Sequence, residues 1–101
     1  LIAPANLDTT LAVKVYAKSN NKLVALTGLA KEDFLLKVDG VTVTITTLTA
    51  GTNDGEYTLT VPAFATGEII TLQLFDSVLN ASIINLDGSL YKSNVATTVV
   101  V

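Results

Sequence analysis

The chain has no cysteine, histidine, arginine, methionine or tryptophan among its 101 residues. Without cysteine there is no disulfide framework and no thiol catalysis. Without histidine the commonest general base is missing, and without cysteine so is the strongest nucleophile. Lysine is the only basic side chain, and the net charge is −3. No basic patch exists to neutralise phosphates, so nucleic acid is not an expected partner. No apolar run reaches membrane-spanning length. No charged-then-apolar leader opens the chain. A cysteine-free composition fits an exported bacterial protein that folds without disulfides, and it fits a cytosolic one as well.

Half of the residues are hydrophobic, mostly Val, Ile, Leu and Ala, and only 15% are charged. Threonine is abundant between the apolar positions. That balance favours strands over helices. At this length the chain is one domain, residues 1–101, large enough for a two-layer core without help from metal or disulfide.

The clearest local signal is Asp39-Gly40 between two β-rich runs. A two-residue type I′ turn needs positive φ at both central residues, which Asp-Gly tolerates. That turn pairs Val38 with Val41, Lys37 with Thr42, Leu36 with Val43, Leu35 with Thr44 and Phe34 with Ile45. Directly opposed residues share a face. Phe34, Leu36, Val38, Val41, Val43 and Ile45 are therefore expected inward. Lys37, Thr42, Thr44 and Leu35 are expected outward. The reading makes 41–49 one strand. The next run, 56–61, repeats the alternation, with Tyr57, Leu59 and Val61 inward and Glu56, Thr58 and Thr60 outward. Pro62 lacks an N–H and ends it.

Elsewhere, Leu1 to Asn6 reads as a short lead-in, an edge strand tempered by Pro4. Thr10 to Lys18 alternates cleanly, with Leu11, Val13, Val15 and Ala17 on one face and Lys14, Tyr16 and Lys18 on the other. Ser19 to Lys22 reads as a turn, and Leu23 to Leu26 as a short run. Thr27 to Asp33 holds one helical turn, with Leu29 plugging one end of the core. Ala50 to Gly55 and Ala63 to Gly67 are loops. Ile69 to Asp76 is a strand, with Ile70, Leu72 and Leu74 inward and Thr71, Gln73 and Phe75 outward. In 77–94 a short hairpin turning at Asp87-Gly88 is the best reading. The last strand, from about Val95 to Val101, is apolar on both sides and is expected to be central or to run on into a neighbouring domain. Both ends read as borders of a module excised from a longer polypeptide.

Several of these residues carry a family likeness. Leu26-Thr27-Gly28-Leu29, Asp33-Phe34, Val38-Asp39-Gly40-Val41, Tyr57-Thr58-Leu59-Thr60-Val61 and Thr66-Gly67-Glu68 together resemble bacterial immunoglobulin-like repeat modules. The likeness covers roughly residues 24–76 and rests on turn and core positions. It implies an all-β, immunoglobulin-like antiparallel β-sandwich of about seven strands with one short helical turn. Asn53-x-Gly55-x-Tyr57 is similar to the Asp-x-Gly-x-Tyr pattern of the tyrosine corner, with Asn in the first place. In that motif the Tyr heads the penultimate strand, and here more chain follows Tyr57 than that position leaves. Such modules stand in tandem in S-layer proteins, adhesins and multidomain surface enzymes. The resemblance therefore implies a non-catalytic spacer or adhesive module of a bacterial cell-surface or secreted protein. Its partners would be neighbouring domains of the same chain. Fold alone does not dictate that role.

Three kinds of site are weighed against plain structural roles. A carboxylate pair could cleave glycosides, but the nine acids sit almost entirely at turns and strand ends, and no enzyme is expected. Calcium takes hard oxygen ligands. Asn53, Asp54 and Glu56 form one candidate cluster, and Asp76, Asn80 and Asp87 a second if their loops meet. The competing reading is that these side chains cap turns. Sugar platforms use exposed aromatic faces, and Tyr16, Phe75 and Tyr91 are the candidates. The alternative function is accordingly a carbohydrate-binding accessory domain of an extracellular polysaccharide-acting protein, with cell-wall or extracellular polysaccharide as ligand. The plain reading of the same aromatics is edge burial or packing on a neighbour. The apolar end Val99-Val100-Val101, with Leu35 and Phe75, is a candidate contact patch. Asn80-Ala81-Ser82 matches the glycosylation acceptor pattern, a tripeptide common by chance.

Overall fold

A computed structural model describes residues 1–19, 22–75, 81–84 and 95–101, with backbone alone at 18, 19 and 81–84. Nine strands and one 3₁₀ turn, Lys31–Asp33, make up its regular structure. The strands are β1 (Thr10–Ser19), β2 (Lys22–Ala25), β3 (Phe34–Val38), β4 (Val41–Val43), β5 (Thr47–Ala50), β6 (Glu56–Thr60), β7 (Ile69–Leu74), β8 (Ala81–Ile84) and β9 (Val95–Val99). All pairings are antiparallel. In one sheet β1 pairs with β2, β6 and β8, and β6 pairs in turn with β5; the other runs β4-β3-β7-β9.

The order is that of an immunoglobulin-like sandwich. Strands β1, β6 and β5 take the B, E and D places, and β4, β3, β7 and β9 take C′, C, F and G. The lead-in stands in the A place, where Ile2 N–H donates to the Ala12 carbonyl at 3.2 Å. Strands β2 and β8 are additions to that plan.

Alternation builds the core as expected. Leu11, Val13, Val15, Tyr57 and Leu59 are buried from one sheet, and Phe34, Leu36, Ile70, Leu72, Leu74 and Ala96 from the other. Leu1, Ile45, Val61, Phe64 and Val100 close the margins. The Phe34 and Tyr57 rings meet edge to face at 6.3 Å across the two sheets, a favoured aromatic geometry. No polar or charged residue is buried among the described residues. Leu29 is half-buried and packs on the core, the plug that the helical-turn reading called for.

The Asp39-Gly40 turn forms as expected, with φ of 51° and 81°. It sets the register Val38–Val41, Lys37–Thr42, Leu36–Val43. Beyond Val43 the single-strand expectation fails. The chain leaves the β3 sheet, passes through 44–46 and re-enters pairing as β5 on the opposite sheet. The expected pairs of Phe34 with Ile45 and of Leu35 with Thr44 do not form, while the other edge of β3 pairs Phe34 with Leu74 and Leu35 with Gln73. Val41, expected inward, is 66% exposed at the end of the sandwich, whereas Ile45 is buried in the crossover. A run of alternating Val, Thr and Ile carries no mark of where it changes sheet.

Of the two expectations for the last strand, the central place is not taken: among the described residues β9 is the outer strand of its sheet, and Val99 and Val101 are exposed. Its end is closed by the lead-in, where Val101 N–H donates to the Pro4 carbonyl at 2.9 Å. The expected hairpin at Asp87-Gly88 and the centre of the expected turn at 20–21 lie outside the described residues.

Candidate functional site

The first group of calcium candidates sits where the loop after β5 enters β6, Asn53 and Asp54 in the loop and Glu56 at the head of the strand. The Glu56 carboxylate accepts from Asn53 N–H at 3.2 Å, and Glu56 N–H donates to the Asn53 carbonyl at 3.2 Å. Glu56 is thus tied to its own turn, and Asp54 is exposed beside it. No group of three or more acidic side chains placed to hold a metal occurs among the described residues. Asp76, Asn80 and Asp87 lie outside those residues.

Glu56 belongs to a wider pattern. Asp8 accepts from Ala5 N–H at 2.8 Å, Asp33 from Ala30 N–H at 2.8 Å and Glu68 from Ala65 N–H at 2.5 Å. In all four cases an acid reaches back three residues to an exposed backbone N–H. The sequence signal was available: three of the four acids follow an alanine at that spacing, and the fourth follows an asparagine. Carboxylates are strong acceptors for backbone N–H groups.

The sugar candidates do not share a surface. Tyr16 is half-buried on the outer face of β1, beside Ala25 and Ser82 in register. Phe75 is 40% exposed just beyond β7 on the outer face of the other sheet. The two rings therefore point away from opposite sides of the sandwich. Tyr91 lies outside the described residues, as does Asn80 of the glycosylation tripeptide.

Tyr57 is placed differently from a tyrosine corner. It stands in β6, the E place, and its hydroxyl donates to the Leu26 carbonyl at 2.6 Å. The same oxygen accepts from Leu29 N–H at 3.4 Å. The side chain ties both ends of the loop between β2 and the 3₁₀ turn to β6.

No family model matches the chain, and no curated protein or solved structure matches it either.

The contact-patch candidates are dispersed. Leu35 is half-buried, Phe75 stands at one end of β7, and Ile69 and Val99 pair at the other, both about half exposed. A groove of about 420 Å³ lies at the end of the sandwich where the β3–β4 turn meets the β6–β7 connection. It is lined by Val38, Val41, Val43, Pro62, Ala63 and Phe64, with Asp39 and Glu68. Sequence reading missed it because its walls come from two distant segments.

No helix among the described residues is long and apolar enough to cross a membrane.

Proposed function

We propose that this chain serves as a non-catalytic structural or adhesive module of a bacterial surface or secreted protein. The observation that carries the reading is how the carboxylates are used. Five described acids, Asp8, Asp33, Asp39, Glu56 and Glu68, accept hydrogen bonds from backbone N–H groups and so brace turns. The apolar core between the sheets holds no buried polar side chain among the described residues. Such a body resists extension through many short, non-local ladders. The test is mechanical: a polyprotein of repeated copies stretched in a force spectrometer. Expected is one abrupt, refoldable extension per copy. Gradual lengthening without discrete events would reject the module as a load-bearing spacer.

The carbohydrate reading retains one specific support, the exposed ring of Phe75. A glycan array that stays blank, or one whose binding survives Phe75→Ala, removes it.

A further inference from the structure

We infer that the groove between the Asp39-Gly40 turn and the Pro62–Glu68 connection seats a lysine side chain from a different protein. The inference rests on the groove alone and stands whether or not the module is a spacer.

Its two components match the two parts of that side chain. The walls are apolar: Phe64 is buried, Val38 and Val43 are half-buried, and Val41 stands exposed at the mouth. A four-carbon stem packs on such a surface while its charged head stays at the rim. The rim carries two carboxylates, Asp39 and Glu68, and among the described residues no lysine lines the groove to neutralise them. A cation is the complementary charge.

Both carboxylates are held in place. Asp39 Oδ1 accepts from Ile69 N–H at 2.9 Å, while Asp39 N–H donates to the Ile69 carbonyl at 2.8 Å. Glu68 Oε1 accepts from Ala65 N–H. Each carboxylate keeps a second oxygen with free acceptor capacity. Because the residues are already ordered by these bonds, little side-chain freedom is lost on binding. An uncharged apolar occupant would strip water from the acids without replacing their hydrogen bonds. An anion would be repelled.

The test uses amide NMR on the whole chain with three probes: n-hexylammonium, n-hexanol and the blocked peptide acetyl-Ala-Lys-Ala-amide. Hexylammonium and the peptide are expected to shift the amides of Gly40, Val41, Glu68 and Ile69 together. Hexanol is expected to bind at least tenfold more weakly. Asp39→Asn and Glu68→Gln keep the oxygen that caps the backbone and remove only charge, and Asn also tolerates the positive φ at this turn. Each is expected to weaken hexylammonium binding at least threefold while the chain stays folded, its melting temperature lowered only slightly by the weaker neutral acceptor. The inference is overturned if hexanol binds as well as hexylammonium, if both variants bind as before, or if the peptide shifts nothing. Concentration-dependent shifts of the same amides without any probe would give the groove to a second copy of this chain, and would also overturn it.

Discussion

Gly55 carries more of the architecture than its size suggests. Lys14 is in register with both Glu56 of β6 and Ile84 of β8, and Tyr16 with both Ala25 of β2 and Ser82 of β8. β8 therefore takes one edge of β1, and β6 and β2 share the other, end to end. Gly55 lies at their junction with φ +82°, its carbonyl accepting from Val15 N–H at 2.8 Å. A Cβ there would come within 2.8 Å of the Val15 carbonyl oxygen and 3.0 Å of Ala25 Cβ. Gly40 has nearly the same φ but open space around it. Gly40→Ala should cost about 1–2 kcal/mol, the left-handed penalty alone. Gly55→Ala should add about 1–3 kcal/mol of overpacking to that. Urea unfolding of the pair decides it, and equal losses would contradict the junction. Tyr57→Phe should cost about 1–2 kcal/mol by leaving the Leu26 carbonyl without its donor. Hydrogen exchange at Leu29 should quicken in the same variant.

At the scale of elements, the crossover at 44–46 is what makes two sheets from one run of sequence. In a single strand Val41 and Ile45 would share the core face and lose similarly on truncation. As folded, Ile45 is 7% exposed and Val41 66%. Ile45→Ala should cost about 2–5 kcal/mol, and Val41→Ala no more than about 0.5 kcal/mol. Comparable losses, measured by chemical denaturation, would restore the single strand. Past the crossover, Thr47 and Thr49 pair with Thr60 and Thr58, and Thr60 in turn with Thr10. This outward threonine array is stabilised by cross-strand contact as well as by strand propensity.

For the whole molecule, the lead-in joins the two sheets. Ile2 bonds to β1, Leu7 N–H to the Phe64 carbonyl and Val101 N–H to the Pro4 carbonyl. Leu1 is 4% exposed, part of the common core. Removing residues 1–4 should lower stability by about 1.5–3 kcal/mol from the loss of Leu1 burial alone. The melting temperature should fall by about 4–8 °C for each kcal/mol lost at this size. An unchanged melting curve would show the lead-in to be an ornament. Calcium acts at the same scale, since a ligand that binds only the folded state must raise its melting temperature. Asn53, Asp54 and Glu56 serve as calcium ligands only if added calcium does so and a chelator reverses it. With Glu56 committed to Asn53 N–H, the expected shift is nil.

Alternation in the chain was enough to place β1, β3, β6 and β7 and their buried faces. Leu11-x-Val13-x-Val15, Tyr57-x-Leu59 and Ile70-x-Leu72-x-Leu74 all turn inward as their period requires, and Asp39-Gly40 sets its own turn. Those are local properties, since side-chain direction and turn dihedrals depend on neighbouring residues. Tertiary structure alone decided that the run after Val43 changes sheet, that β9 lies at an edge, that β2 and β6 divide one edge of β1, and that Asp39 and Glu68 share one groove. Each joins segments far apart in the chain, and the choice among partners is made by which arrangement closes a common core. No short stretch of residues records that choice.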